Sequence, residues 1–160
     1  MAKSWNTDTA LIEAVSDNLF SALPLLPKRL VRVEAIMKEL DMPFSHIQIL
    51  CMLHEGPMSI GEISRQLGIA KPNITPLLDH LDHRSMLTRE RSEADRRVVM
   101  VQLLSEGEAA AARIRNEIGS QVGTWPEDFS YSDIKRLNNA LALLVDTARR
   151  LAEEEKTNGK

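Results

Sequence analysis

Four arginines, Arg89, Arg91, Arg96 and Arg97, fall within nine residues, and Asp95 stands two positions before the last of them. Clustered guanidinium groups suit phosphate, and arginine enters narrow minor grooves of DNA, where the potential is most negative. Asp95 could hold the Arg97 guanidinium by a charge-assisted pair. The bland alternative is a solvated charged turn of little energetic consequence. Upstream, His80 and His83 lie beside Asp79 and Asp82. Histidines three apart on a helix can share a metal, but on a helix that faces DNA they suit phosphate contacts, and no metal is assigned. The one cysteine, Cys51, excludes an internal disulfide and a zinc site built from paired thiolates. It is expected on the apolar side of its helix, where a free thiol is inert. Gly-x-Gly-x-x-Gly, a phosphate-loop lysine and Gly-x-Ser-x-Gly are all missing from the sequence, so neither an enzyme nor a cofactor is expected.

Charge distribution decides whether the arginine cluster can matter. A net charge of -3 argues against a general nucleic-acid binder. Residues 59–97, however, carry seven Lys or Arg against six Asp or Glu, while the remainder carries 13 against 17. A local basic patch is therefore possible where a global one is not. Only six of 160 residues are aromatic, which disfavours a protein that stacks single-stranded bases. With 43% hydrophobic and 27% charged residues, the chain has the composition of one folded domain spanning 1–160. No apolar run approaches the roughly 18 residues of a membrane span, and the first ten residues do not read as a signal peptide. The expectation is a soluble, cytoplasmic protein with no membrane partner.

The elements that must position these residues follow from periodicity. Leu11, Ile12, Val15, Leu19 and Leu23 predict a first helix capped by Asp8 or Thr9. Pro24 and Pro27 interrupt it, and Leu30, Val33, Ile36, Met37 and Leu40 predict a second. Four later segments open with a capping-box pattern: Ser45 with Gln48, Ser59 with Glu62, Ser105 with Glu108, and Ser130 with Asp133. The first predicts a helix over 45–54 with Ile47, Leu50 and Cys51 on one face, stopping at Gly56-Pro57. The second predicts a helix over 59–67 that stops at Gly68. After a tight turn, Ile74, Leu77, Leu78 and Leu81 predict its partner, a helix-turn-helix pattern. Two strands over 86–91 and 98–104 then form a hairpin, and a hairpin in that position is a wing.

The last third returns to helix, over 106–122 and then 132–155, with a break at Trp125-Pro126 and a frayed tail over 153–160. In the final helix Ile134, Leu137, Leu141, Leu144, Ala148 and Leu151 follow a heptad-like seam suited to a dimer. The alternative is that the seam packs within its own subunit. The expected fold is mostly α with a small β-hairpin wing. A winged helix-turn-helix lobe over about 43–105 is flanked by N- and C-terminal dimerisation helices over about 8–42 and 106–155.

In such a lobe the second helix of the motif enters the major groove. Its outward face carries Pro72, Pro76, Asp79 and His83, flanked by Asn73, Thr75 and His80. Asn73 can read adenine, Thr75 can bond a base or touch a thymine methyl, and Lys71 can reach a phosphate. Alternatively Asn73 and Thr75 cap the helix, or Thr75 is its N-cap with Pro76 at the first helical position. The predicted DNA-binding set is Lys71, Asn73, Thr75, Pro76, His80, Arg89, Asp95, Arg96 and Arg97, with Arg97 in a minor groove and Arg96 on a phosphate.

Residues 30–108 resemble the MarR family of bacterial transcriptional regulators. The likeness is strongest in Leu77-Leu78-Asp79-His80-Leu81, Leu87-Thr88-Arg89 and Asp95-Arg96-Arg97 ahead of Val98-Val99-Met100-Val101-Gln102-Leu103. The resemblance implies a homodimer of winged-helix subunits joined by terminal helices and bound to a pseudopalindrome. It also implies recognition helices in successive major grooves, wing arginines in the flanking minor grooves, and repression relieved by a small ligand or oxidation. Asp95 and Arg97 match the family's wing Asp and Arg, while Asn73, Thr75 and Pro76 occupy its base-reading segment. Pro76 departs from the basic or polar residue frequent there. Ser85 replaces a frequent glycine, which predicts a mildly strained helix end. The expected function is a ligand-responsive repressor of double-stranded DNA; the alternative is a winged helix used only for protein contacts. For the effector, the resemblance implies a phenolic compound, a metal or a peroxide sensed in the crevice between dimerisation helices and lobe; a small aromatic or phenolic compound is expected here, with Arg29, Arg32, Met37, His46 and Trp125 as candidates. His46 reads either as a carboxylate anchor or as a satisfied surface histidine. Cys51 does not match the N-terminal cysteine of the family's peroxide sensors.

Overall fold

The computed structural model describes residues 8–126 and 129–158. Helix α1 (Thr9–Ala22) is capped by Asp8, whose carboxylate accepts from the Leu11 N–H at 3.0 Å. The proline-rich connection does more than interrupt it. Leu26–Leu30 form a π-helical turn with Pro27 in its first turn, where a missing N–H costs nothing, so Leu30 belongs to that turn. Helix α2 (Val33–Leu40) ends with Asp41 in the left-handed region, φ 49°. The Arg84 guanidinium donates to the Leu40 and Asp41 carbonyls at 3.4 and 3.2 Å, satisfying two acceptors the helix end leaves open.

Of the four expected capping boxes, one is complete and one is half-formed. Ser59 and Glu62 form a complete box at the start of α4 (Ile60–Leu67). Ser130 accepts from the Asp133 N–H at 3.1 Å and donates to its carboxylate at 2.6 Å, opening α7 (Tyr131–Asn158). The other two are corrected. Helix α3 (Phe44–Leu53) is capped by Pro43, whose extended backbone ends the preceding loop and leaves Ser45 inside the helix. Helix α6 (Ser105–Gly123) is capped by Leu104, and Glu108 reaches across to His54 Nδ1 at 2.7 Å instead of back to a cap. Helix α7 runs to Asn158, beyond the expected end, because nothing in 153–158 breaks the helix.

The wing strands are β2 (Leu87–Arg91) and β3 (Val99–Leu103), antiparallel with Arg89 opposite Val101. A third strand, β1 (Met58–Ser59), pairs with the other edge of β3, giving the order β1-β3-β2. Two residues are too few to show alternation, so the sequence carried no signal for it. Helix α5 (Lys71–His83) follows α4 after Gly68, whose φ of 63° makes the tight turn. At its far end Ser85 sits at φ 55°, and Met86 N–H reaches back to the Leu81 carbonyl at 3.0 Å, the strained closure expected where glycine is absent.

The core is drawn from α2 to α6. Ile49, Leu50, Ile63, Ile74, Leu78, Leu81, Leu87 and Val101 are completely buried, each worth roughly 1.5–3 kcal/mol of burial. Cys51 is corrected here: it is exposed, and Ile49 and Leu53 take the apolar side with Leu50. Helix α6 approaches the start of the wing so closely that a Cβ on Gly107 would lie 2.0 Å from the Met86 carbonyl oxygen. Only glycine fits there. By contrast, α1 buries no residue, and along α7 Leu141, Leu144 and Leu151 are exposed. Among the described residues, no helix is long and apolar enough to cross a membrane.

Candidate nucleic-acid interface

Helix α5 begins at Lys71, earlier than an N-cap at Thr75 would require. Ala70 occupies the cap position without a side-chain hydrogen bond, Pro72 lies in the first turn, and Pro76 lies inside the helix. The capping roles considered for Asn73 and Thr75 are therefore excluded. An internal proline removes one helical hydrogen bond at a cost of about 3 kcal/mol. Burial of Ile74, Leu78 and Leu81 on the opposite face offsets that cost and holds the helix in place. Lys71, Asn73, Thr75, Pro76 and His80 are consequently left exposed on one helix.

The wing turn is shaped by Asp95, though not as the sequence suggested. Its carboxylate accepts from the backbone N–H of Arg97 at 2.9 Å rather than from the guanidinium, and its carbonyl accepts from Val98 N–H at 2.9 Å. The short side chain reaches its own backbone two residues on, a local bond that closes the turn. Arg91 donates to the Arg96 carbonyl at 3.4 Å and closes the same loop from β2. The side chains of Arg96 and Arg97 remain exposed at the tip.

Arg89 requires a second correction. Its guanidinium does not stand free but lies 2.7 Å from Asp79 and 2.8 Å from Asp82 on α5. The hydrogen bond to Asp82 leads the effects that raise its pKa, with Asp79 adding to it. This bridge ties strand β2 of the wing to helix α5. It also occupies the two carboxylates nearest His80 and His83, and no cluster of three metal-ligating side chains exists among the described residues.

His80, exposed on α5, also makes a contact within the lobe. Its ring meets that of His46 edge-on, with centroids 4.7 Å apart. His46 is 6% exposed, and neither ring nitrogen has a hydrogen-bond partner among the described residues. It is thus neither a satisfied surface histidine nor open to an effector carboxylate. Burial first, then His80 and Arg84, push its pKa below the ordinary 6.5. The sequence reading centred the apolar face on Ile47, Leu50 and Cys51, whereas His46, Ile49, Leu50 and Leu53, at i, i+3, i+4 and i+7, share the buried side.

The five effector candidates do not converge. Arg29 is exposed on the π-helical turn. Arg32 donates its backbone N–H to Gln121 at 2.7 Å and lines a 340 Å³ cavity with Pro27, Lys28 and Glu34. Met37 packs against the core, and Trp125 meets Phe129 at 6.3 Å. Gln121, buried at 4% exposure, went unnoticed in the sequence, where nothing distinguishes it from other helical glutamines. Another 340 Å³ cleft, between α7 and the lobe, is lined by Cys51, Met52, Met58, Gln66 and Arg149, whose guanidinium pairs with Glu55. Desolvation within this cleft and then Glu55 raise the Cys51 thiol pKa, which disfavours the thiolate.

Comparison with known proteins converges on one family. Residues 45–99 match the family model described as MarR family. The organic hydroperoxide resistance transcriptional regulator of Bacillus subtilis (strain 168) is 26% identical over 102 residues, covering 64% of this chain and 68% of that one. Among solved structures, the transcriptional repressor CouR bound to a 23-mer DNA duplex matches with a TM-score of 0.64 and 25% identity, over 82% of this chain and 94% of that one. NadR in complex with 4-hydroxyphenylacetate matches with a TM-score of 0.59 and 21% identity, over 95% and 96%.

Proposed function

We propose that this chain, whose residues 45–99 match the MarR family model, is a DNA-binding transcriptional regulator of that family, two copies of which bind a pseudopalindromic operator as a ligand-responsive repressor. The observation that carries this reading is the Arg89 bridge to Asp79 and Asp82. It fixes the reading helix and the wing to each other before DNA arrives. A preorganised pair of elements spends little ordering entropy on binding.

Each part of the lobe then has a role. Asn73 and Thr75 face base edges in the major groove, and Lys71 meets a phosphate at the start of the same helix. Arg97 enters the flanking minor groove while Arg96 holds a phosphate beside it. Asp95 sets the backbone from which both arginines project. Dimerisation uses α1 and α7, whose exposed Leu19, Phe20, Leu23, Leu141, Leu144 and Leu151 are too many for a solvated surface. The effector is a small aromatic or phenolic anion, as in the NadR complex. Of the residues considered for it, Arg29 and Arg32 supply the charge, Arg32 lining the cavity beside α2.

The test is a titration of Arg97→Ala against a duplex retained from a randomised pool. Affinity falls by roughly 1–3 kcal/mol while the dimer persists. Unchanged affinity would remove the wing from the interface and favour a winged helix that contacts only protein.

A further inference from the structure

One cleft of the lobe holds a cation that the sequence reading passed over. It lies between α4, the start of α5 and the wing, has a volume of about 590 Å³, and receives Arg65, Lys71 and Arg97 from these three elements. Its floor is Gly61. A methyl group at that position would lie 3.5 Å from Lys71 Cε and 3.6 Å from both Lys71 Nζ and Arg65 Nη1. The ammonium and the guanidinium therefore flank the same point, above a stretch of backbone that carries no side chain. Glu62 also lines the cleft, but its carboxylate already accepts from the Ser59 N–H at 2.8 Å and from the Ser59 hydroxyl at 2.7 Å to cap α4. Among the described residues, none of the three cations forms an ion pair with a carboxylate.

Like charges held side by side repel, and an anion between them turns that repulsion into attraction. The position of the cleft selects the anion. It sits between the helix assigned to the major groove and the arginine assigned to the neighbouring minor groove, and a sugar-phosphate backbone separates any two such grooves. We propose that Arg65 and Lys71 clamp one backbone phosphate of the DNA across Gly61, with Arg97 passing over it toward the minor groove. This rests on the DNA-binding reading above and adds Arg65 to it as a positioning residue. A phosphate contact fixes register without carrying sequence information.

The experiment is a salt titration of duplex binding by the full-length protein, using a retained duplex and one of scrambled sequence, for wild type, Arg65→Gln and Arg65→Lys. Each phosphate contact contributes about 0.9 to the slope of log K against log salt, so a dimer with two clefts loses about twice that in Arg65→Gln. The clamp predicts this shallower slope, an equal loss on both duplexes, and recovery of the slope in Arg65→Lys, which keeps the charge. Recovery by lysine separates lost charge from lost folding. A wild-type slope in Arg65→Gln, or a loss confined to the retained duplex, would overturn the clamp while leaving DNA binding intact. Wild-type protein that binds neither duplex would overturn the underlying reading itself.

Discussion

The winged lobe and the terminal helices of this chain solve opposite problems. In the lobe, Ile49, Leu50, Ile63, Ile74, Leu78 and Leu81 from three helices close on one another and on the sheet residues Leu87 and Val101, and all eight are fully buried. In α1 and α7 the apolar residues are as regular, yet Phe20 is 82% exposed, Leu23 73% and Leu151 59%. The two regions do not differ in pattern. They differ in whether the surface that completes the pattern belongs to the same chain. The lobe is finished by its own sequence, whereas on the function proposed above the terminal helices are finished by a second copy, which holds two reading heads at a fixed spacing.

The largest effect should come from breaking the unfinished region. Leu141→Arg together with Leu144→Arg places charges on the seam, and sedimentation should then give the mass of a single 18.0 kDa chain instead of twice that. The lobe should keep its cooperative unfolding in that variant, because none of its buried residues is drawn from α7. A smaller effect should come from the finished region. Leu50→Ala opens a cavity in a fully buried site and should lower stability by about 2–5 kcal/mol in a denaturant titration. The smallest sharpens the comparison by pH. His46 has its pKa lowered by burial, His80 and Arg84, so the folded lobe binds fewer protons than the unfolded chain. Its contribution is complete above the ordinary value of 6.5 and is lost as pH falls through the lowered value. Wild type should therefore lose stability below about pH 6.5 more steeply than His46→Phe, by at most about 1.4 kcal/mol per pH unit. Parallel stability curves would show that His46 takes up its proton alike in the folded and unfolded chain, contradicting the lowered value.

What the sequence made legible follows the same division. Helix periods, the Ser59–Glu62 box and the wing strands were readable because each is a local pattern, complete within a few residues. Contacts between elements were not. Arg89 reads as one of a basic cluster until the fold brings Asp79 and Asp82 to it. His46 reads as a surface residue when the apolar face is centred on Ile47 and Cys51, and is buried because it shares a face with Ile49, Leu50 and Leu53. Arg65 is separated from Lys71 by the turn that brings them together over Gly61, and only Lys71 announced itself by its place on the reading helix. Asp95 and Arg97 were paired correctly in sequence, but through the backbone rather than the guanidinium. The dimer seam was visible as a heptad pattern; its exposure in the subunit is what argues against the alternative that it packs at home.

The central claim is that two copies of this lobe read DNA together. The most direct measurement is selection from a randomised duplex library with purified protein at two salt concentrations, followed by sequencing of the retained DNA. The account predicts an inverted repeat whose half-sites lie about one helical turn, roughly 10 base pairs, apart. Retention of unselected DNA that disappears steeply with salt, or of none, would contradict it.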